Sequence, residues 1–161
     1  MSPDAMVPQR GRYFEEFEKG FTWVTPARTI TEHDIGAFAG LSGDFNPLHT
    51  DREFAKTTQF GERIAHGMLG LSVATGLVHH VGPVDGTAIA FLGVDWKFRK
   101  AILIGDTIHA IIKVTDKRES KPMGGGVIGF DVRVVNQDGD VVQKGVWTLL
   151  VRMRPLPAEG G

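Results

Sequence analysis

The sequence predicts an α+β fold in which a curved antiparallel sheet wraps round one central helix, and three observations support this prediction. Residues 64–80 contain no Asp, Glu, Lys or Arg, and their apolar side chains point to every side of a helix, as in a helix buried all round. Four stretches of alternating apolar and polar residues follow, and this period predicts half-buried strands. Among the predicted elements, the helix is apolar enough to cover such a sheet.

Composition limits the classes of protein to which the chain can belong. A length of 161 residues favours one domain, which we predict at residues 13–154, with flexible segments at 1–12 and 155–161. The 18 basic and 19 acidic residues argue against a nucleic-acid surface, which needs a basic excess. The absence of Cys excludes disulfides and thiolate nucleophiles. With no apolar signal segment and no membrane-length apolar run, we expect a cytoplasmic protein.

Short elements are predicted before the central helix. Residues 21–24 are strand formers that stop at Pro26, which indicates an edge strand. Thr31 and Asp34 have the spacing of a capping box, so a helix should start there, and Gly40 and Gly43 should end it. Residues 42–63 are rich in loop formers, with one helical turn expected near residues 53–55.

Three glycines within the central helix require an explanation. Gly67, Gly70 and Gly76 each cost about 0.8–1.0 kcal/mol relative to Ala in a helix interior, so another backbone or a slender ligand is expected to lie close by. The helix opens at His66-Gly67, where free N–H groups and the positive dipole end favour a negatively charged oxygen. A core helix without a function explains the same residues equally well.

The strands are predicted at residues 94–98, 108–114, 128–134 and 141–153. Asp138-Gly139 is a strong hairpin signal between the last two. The charged residues 116–122 are interpreted as a solvated loop between strands. Because a sheet of this kind keeps open, apolar edges, we expect two copies of the chain to associate.

Residues 42–50, SGDFNPLHT, contain the best candidates for chemistry. Pro47 makes a continuous helix unfavourable, so a loop can bring Asp44 and His49 to one point. An acid and an imidazole held together suit general acid–base catalysis on a water and a carbon-bound proton. The spacing alone nevertheless favours ordinary turn chemistry, with Asp44 capping backbone N–H groups. His79-His80 lacks a suitably spaced third ligand, so no metal is expected.

LSGDFNPLHTDREFA (residues 41–55) resembles the signature of the MaoC-like, hydratase-2 family of (R)-specific enoyl-CoA hydratases. IAHGMLGLSVATGL (residues 64–77) resembles the central helix of that family, and weaker similarity extends from about residue 13 to residue 154. The resemblance implies the hot-dog fold and reversible addition of water to trans-2-enoyl-CoA. It also implies a homodimer or larger assembly, and no cofactor beyond the coenzyme A of the substrate.

The resemblance assigns roles to individual residues. Asp44 and His49 match the catalytic pair that holds and activates the water, and the N–H of Gly67 matches the group that polarises the thioester carbonyl. Contacts with substrate are implied for Asn46, Thr75, Arg118 and Lys121, the last two with the phosphates of coenzyme A. One departure is Phe38, where the family signature can carry Tyr, so any hydroxyl role at that position is lost.

Two other functions fit the same fold. Many hot-dog thioesterases place a carboxylate on the central helix, and residues 64–80 contain none. A non-catalytic acyl-CoA-binding or regulatory module has no need of an acid–imidazole pair, so Asp44 and His49 argue against it. Neither alternative is excluded by the sequence.

Overall fold

A computed structural model describes residues 10–155 as one antiparallel sheet of six strands packed on helices. The strands are β1 (Thr22–Val24), β2 (Arg28–Thr29), β3 (Ala88–Phe98), β4 (Thr107–Ser120), β5 (Gly125–Val135) and β6 (Val141–Val151). The helices are α1 (Glu32–Ser42), α2 (Pro47–Thr50), α3 (Arg52–Lys56) and α4 (Gly67–Val81), with 3₁₀ turns at Phe14–Glu16 and Lys121–Met123. The sheet order is β1-β4-β5-β6-β3, with β2 also paired to β4. The sheet is open, with β3 at one edge.

Helix α1 has the ends that the sequence predicts. The Thr31 hydroxyl accepts the Asp34 N–H, and the Asp34 carboxylate accepts the Thr31 N–H at 2.8 Å, which completes the capping box. The helix ends at Gly43, whose φ of 77° is left-handed and suits glycine. The helical turn predicted near residues 53–55 is confirmed as α3, which Asp51 caps. A second short helix, α2, was not predicted, and it starts because Asn46 caps it.

Helix α4 is the predicted central helix, and it begins at Gly67 rather than at residue 64. Ile64 instead forms a β-bridge with Leu103. A Cβ atom at Gly67 would lie 2.8 Å from the ring of Phe98. A Cβ atom at Gly70 would lie 2.3 Å from the amide nitrogen of Gln143. Two of the three glycines therefore allow side chains from the sheet to approach the helix, whereas Gly76 has nothing within 4 Å.

The expectation that the central helix is buried on every side is wrong for a single chain. One face of α4 packs into the core through Leu69, Leu71, Val73, Ala74, Leu77 and Val78. The opposite face is exposed at Met68, Ser72, Thr75 and Gly76, with 54% of Met68 accessible. Only the tertiary arrangement shows this, because Met68 is apolar and predicts burial from its type alone.

The sheet confirms the predicted strands and corrects two details. Buried and more accessible residues alternate along the first half of β4 and the middle of β5, whereas the last three residues of β6 are all buried. Asp138-Gly139 forms the β5–β6 turn. The predicted half-buried strand at residues 94–98 is a longer edge strand, β3, in which Phe98 is 55% exposed. The loop predicted at residues 116–122 is wrong, because β4 continues to Ser120.

The first residues of the described chain are bound to the loop before β3. The backbone N–H groups of Gly11 and Arg12 donate to the carbonyls of Asp85 and Pro83 at 2.9 and 3.0 Å. The other residues of the two predicted flexible segments lie outside the described range, apart from Arg10 and Pro155, and the domain boundaries at 13 and 154 stay a prediction. Within residues 10–155, no helix has the length and hydropathy that crossing a bilayer requires.

Candidate active site

The loop between α1 and α2 is built by side chains that accept backbone hydrogen bonds. A carboxylate oxygen of Asp44 accepts the N–H of Asn46 at 3.2 Å, and the amide oxygen of Asn46 accepts the N–H of Leu48 at 3.0 Å. Asn46 is thereby the N-cap of α2, and Pro47 occupies the first helical position, where its missing N–H costs nothing. The turn chemistry is present, and it fixes the direction in which the following imidazole points.

His49 lies on α2 with one ring nitrogen bound to the backbone. Its Nδ1 lies 2.8 Å from the carbonyl oxygen of Ile64, and since a carbonyl only accepts, Nδ1 carries the proton. In the neutral ring this leaves Nε2 with an unshared lone pair, which is the state needed in a general base.

His66 lies directly beneath this imidazole. It is 2% exposed, its Nε2–H donates to the carbonyl of Asp44 at 2.9 Å, and its ring stacks on that of His49 with centroids 3.8 Å apart. The ring of Phe38 packs 5.0 Å from it, so Phe38 contributes packing at its position. Among the described residues, His66 Nδ1 has no hydrogen-bond partner.

Sequence reasoning assigned His66 no role beyond opening the helix. Its signal is an imidazole at an N-cap position, where Ser, Thr, Asp or Asn is preferred, immediately before a helix without charges. Asp44, His49 and His66 each offer a ligand atom within 4.8 Å of the others, and three such groups can hold a metal ion. The expectation of no metal therefore stays a prediction.

The start of α4 is fixed to the sheet by a buried amide. Gln143 is 2% exposed; its Nε2 donates to the carbonyl of Gly67 at 3.0 Å, and its Oε1 accepts the indole N–H of Trp96 at 3.0 Å. No group in the described chain accepts the N–H of Gly67. This N–H points out of the positive end of a 15-residue helix, where a developing oxyanion is stabilised. In the sequence, the signal for this contact is an amide on an otherwise apolar strand face.

The site residues predicted on the central helix line two different cavities. A cavity of about 590 Å³ is lined by His49, Gly67, Phe98 and Gln143, among others. A second cavity, of about 430 Å³ and mainly apolar, is lined by Thr75, Phe91 and Trp147 further along α4. Since a helix rises 1.5 Å per residue, Thr75 lies about 12 Å along α4 from Gly67.

Arg118 and Lys121 are not brought to this site within one chain. Gln143, which touches Gly67, pairs with Val134 of β5, whereas Arg118 pairs with Val127 of the same strand. Seven residues of extended strand span about 23 Å. Lys121 lies beyond Arg118 in the 3₁₀ turn, so both cations are at the far end of the sheet.

Solved structures with the same architecture identify the class of fold. A monoamine oxidase regulatory protein from Archaeoglobus superposes with a TM-score of 0.85 at 42% identity, over 90% of this chain and 97% of that one. A Mycobacterium tuberculosis protein described as having a double hot-dog fold superposes with a TM-score of 0.81 at 20% identity, over 96% of this chain and 48% of that one. The chain has the hot-dog fold.

The sequence relatives narrow this class to a family. The model of the MaoC-like domain matches residues 19–135. An (R)-specific enoyl-CoA hydratase of Aeromonas caviae is 38% identical over 70% of this chain and 79% of its own length. One from Rhodospirillum rubrum is 40% identical over 71% and 76%. The chain belongs to the MaoC-like family, which includes hydratases and dehydratases of acyl thioesters.

Proposed function

We propose that the protein is an (R)-specific enoyl-CoA hydratase that adds water reversibly to trans-2-enoyl-CoA. The observation that carries the proposal is the meeting of Asp44, His49 and the free N–H of Gly67 at one end of the sheet. The similarity to proteins named (R)-specific enoyl-CoA hydratase supports the same chemistry. The reverse reaction is the dehydration of an (R)-3-hydroxyacyl-CoA.

Each group has one task in the proposed reaction. The N–H of Gly67 donates to the thioester carbonyl, whose oxygen gains negative charge as the enolate forms. His49 and Asp44 hold the water between them. Its oxygen bonds to C3 while Nε2 of His49 takes one of its protons, and that proton is then delivered to C2. Every atom of the water ends in the product. The chemistry needs neither a metal nor a cofactor beyond the coenzyme A of the substrate.

The other residues predicted to contact the substrate have different roles in the proposed site. Asn46 acts by capping α2 and so orients His49. Thr75 lines the apolar cavity, where it would face the distal part of an acyl chain. The strand register keeps Arg118 and Lys121 of the same chain away from the thioester end of the site.

We also propose that the active form contains two copies of the chain. No strand of the described chain pairs with the outer edge of β3, and β3 exposes Ile89, Phe91, Leu92, Val94 and Phe98. An unpaired apolar edge invites pairing with another strand, and two identical antiparallel edges are self-complementary about a two-fold axis. The exposed face of α4 adds apolar Met68 to the surface that a second copy could cover.

Incubation with crotonyl-CoA tests the reaction. Hydration removes the absorbance of the enoyl thioester and releases no free thiol, and the product should be (R)-3-hydroxybutyryl-CoA on a chiral column. Thiol release with the double bond intact would identify a thioesterase instead. Binding of crotonyl-CoA without turnover would identify a binding or regulatory module, the alternative that the name of the Archaeoglobus structure favours.

A further inference from the structure

Five basic residues gather at the end of the sheet where α4 begins, and we call them the cationic rim: Lys97, Arg99, Lys100, Arg133 and Lys144. Arg133 of β5 lies directly opposite Lys144 of β6, which lies directly opposite Lys97 of β3. Residues in register point to the same face of a sheet, and like charges placed directly opposite each other destabilise it. A bound anion would relieve that repulsion.

Much of the charge of the cationic rim is not neutralised by the protein. Asp140 pairs with Lys100 at 2.7 Å and Asp131 with Arg133 at 3.1 Å. Among residues 10–155, no carboxylate pairs with Lys97, Arg99 or Lys144, including the neighbouring Asp95. All five basic residues are exposed, and the excess stands out in a chain whose net charge is −1.

The cationic rim borders the candidate active site. Arg99 and Lys100 line the cavity that contains His49 and Gly67. The same two residues line an adjoining cleft of about 360 Å³ together with Arg133, Val141 and Lys144. Their backbone N–H groups both donate to the carbonyl of Val142, at 2.8 and 3.1 Å, so the backbone is fixed while the side chains face both spaces.

We propose that the cationic rim binds the phosphate groups of the coenzyme A moiety, an inference that rests on the proposed function. With the thioester at Gly67, the pantetheine arm leaves the cavity past Arg99 and Lys100 and delivers the diphosphate and the ribose phosphate to the outer cleft. Arg99 offers a fork of donors that matches phosphate oxygens. The site replaces Arg118 and Lys121 of the same chain, which lie at the opposite end of the sheet.

Two thioesters that differ only in their phosphates test the proposal. Crotonyl-CoA carries phosphates and crotonyl-pantetheine carries none, so the ratio of their kcat/KM values measures recognition of phosphate. In the double variant Arg99→Ala/Lys144→Ala this ratio should fall by at least about tenfold, through the KM for crotonyl-CoA. Lys113→Ala/Arg152→Ala removes the same charge elsewhere and should keep the wild-type ratio.

The outcomes separate this proposal from the reaction itself. An unchanged ratio in the Arg99/Lys144 variant, or a fall only in Arg118→Ala/Lys121→Ala, would overturn the cationic rim as the phosphate site. If the wild type hydrates neither thioester, the proposed function fails, and calorimetric binding of coenzyme A then decides the site alone. Binding that weakens in the Arg99/Lys144 variant but not in the Lys113/Arg152 variant supports the rim, and equal binding in all three overturns it.

Discussion

At the scale of single residues, the candidate site is a set of side chains whose hydrogen bonds determine each other's state. The carbonyl of Ile64 fixes the tautomer of His49, and the carbonyl of Asp44 fixes that of His66. Each imidazole therefore keeps one lone pair, and the two rings stack. Asp44 both forms the turn and presents its carboxylate, so the turn interpretation and the catalytic interpretation of the same residues are compatible.

The variants Asp44→Asn and His49→Ala should each lower kcat by about 10²–10⁴. Their effects should be far from additive, because removing either group disables the handling of the same water. Steady-state rates with crotonyl-CoA, measured beside thermal melts of the two single variants and the double variant, provide the test. If Asp44 is only a cap, its loss should cost about 1 kcal/mol of stability and leave turnover per folded molecule intact.

His66 should act as a positioning residue for this pair. His66→Phe keeps a ring for stacking but leaves the Asp44 carbonyl without its donor, and a displacement of Asp44 should lower kcat by about 10²-fold with little change in KM. His66→Gln retains a donor and should recover part of that loss. A merely structural His66 would instead give two variants that melt early and share the wild-type kcat.

At the scale of elements, the cap of α1 sets the beginning of the helix that leads into the site loop. Burial alone would raise the pKa of Asp34, but hydrogen bonds from the N–H and hydroxyl of Thr31, with the charge of Arg28, hold that pKa below its ordinary value. A second link at the same end is the pairing of Glu32 with Arg63, where the hydrogen bonds of the guanidinium lower the pKa of Glu32. Each of these two carboxyl groups therefore stabilises the folded state when it is ionised.

Because the pKa of Asp34 is lower in the folded than in the unfolded chain, its contribution is present above the unfolded value and is lost as the pH falls through the folded one. Asp34→Asn should therefore cost about 1 kcal/mol at pH 7, and the difference from wild type should shrink as the pH drops below about 4. Urea unfolding across this range measures it. Asp95→Asn, at an exposed carboxylate without an ion pair in the described chain, is the control. A difference that stays constant with pH would contradict the prediction.

At the scale of the whole molecule, the apolar edge of β3 and the exposed face of α4 are what a single chain leaves uncovered. Within residues 10–155 no strand pairs with the outer edge of β3, and Phe98, at the end of that strand, lies over Gly67. An edge contact between two copies would therefore bring the second chain close to the mouth of the candidate site.

The mass in solution should be twice the 17.6 kDa of one chain, measured by light scattering during gel filtration. Val94→Lys places a charge on the free edge and should shift the protein toward the monomer. Val146→Lys makes the same change on the outer face of β6, an interior strand, and should leave the mass unchanged. A wild-type protein that is monomeric at micromolar concentration would remove the proposed pairing.

The sequence by itself determined the local structure. The capping box, the glycine ends, the Asp-Gly turn and the alternation of the long strands each depend on neighbouring residues, so a short stretch of chain specifies them. The absence of charge in residues 64–80 determined the central helix in the same way. The resemblance of two stretches to one family predicted Asp44, His49 and Gly67 as candidates.

The tertiary structure alone decided what depends on contacts between distant residues. His66 reaches Asp44 across 22 positions and Gln143 reaches Gly67 across 76, and no local pattern contains such a pairing. The register of β4 on β5 moved Arg118 and Lys121 away from the site, while that of β3, β6 and β5 assembled the cationic rim. The exposed face of α4 has the same origin, because burial is a property of the packed molecule and not of residue type.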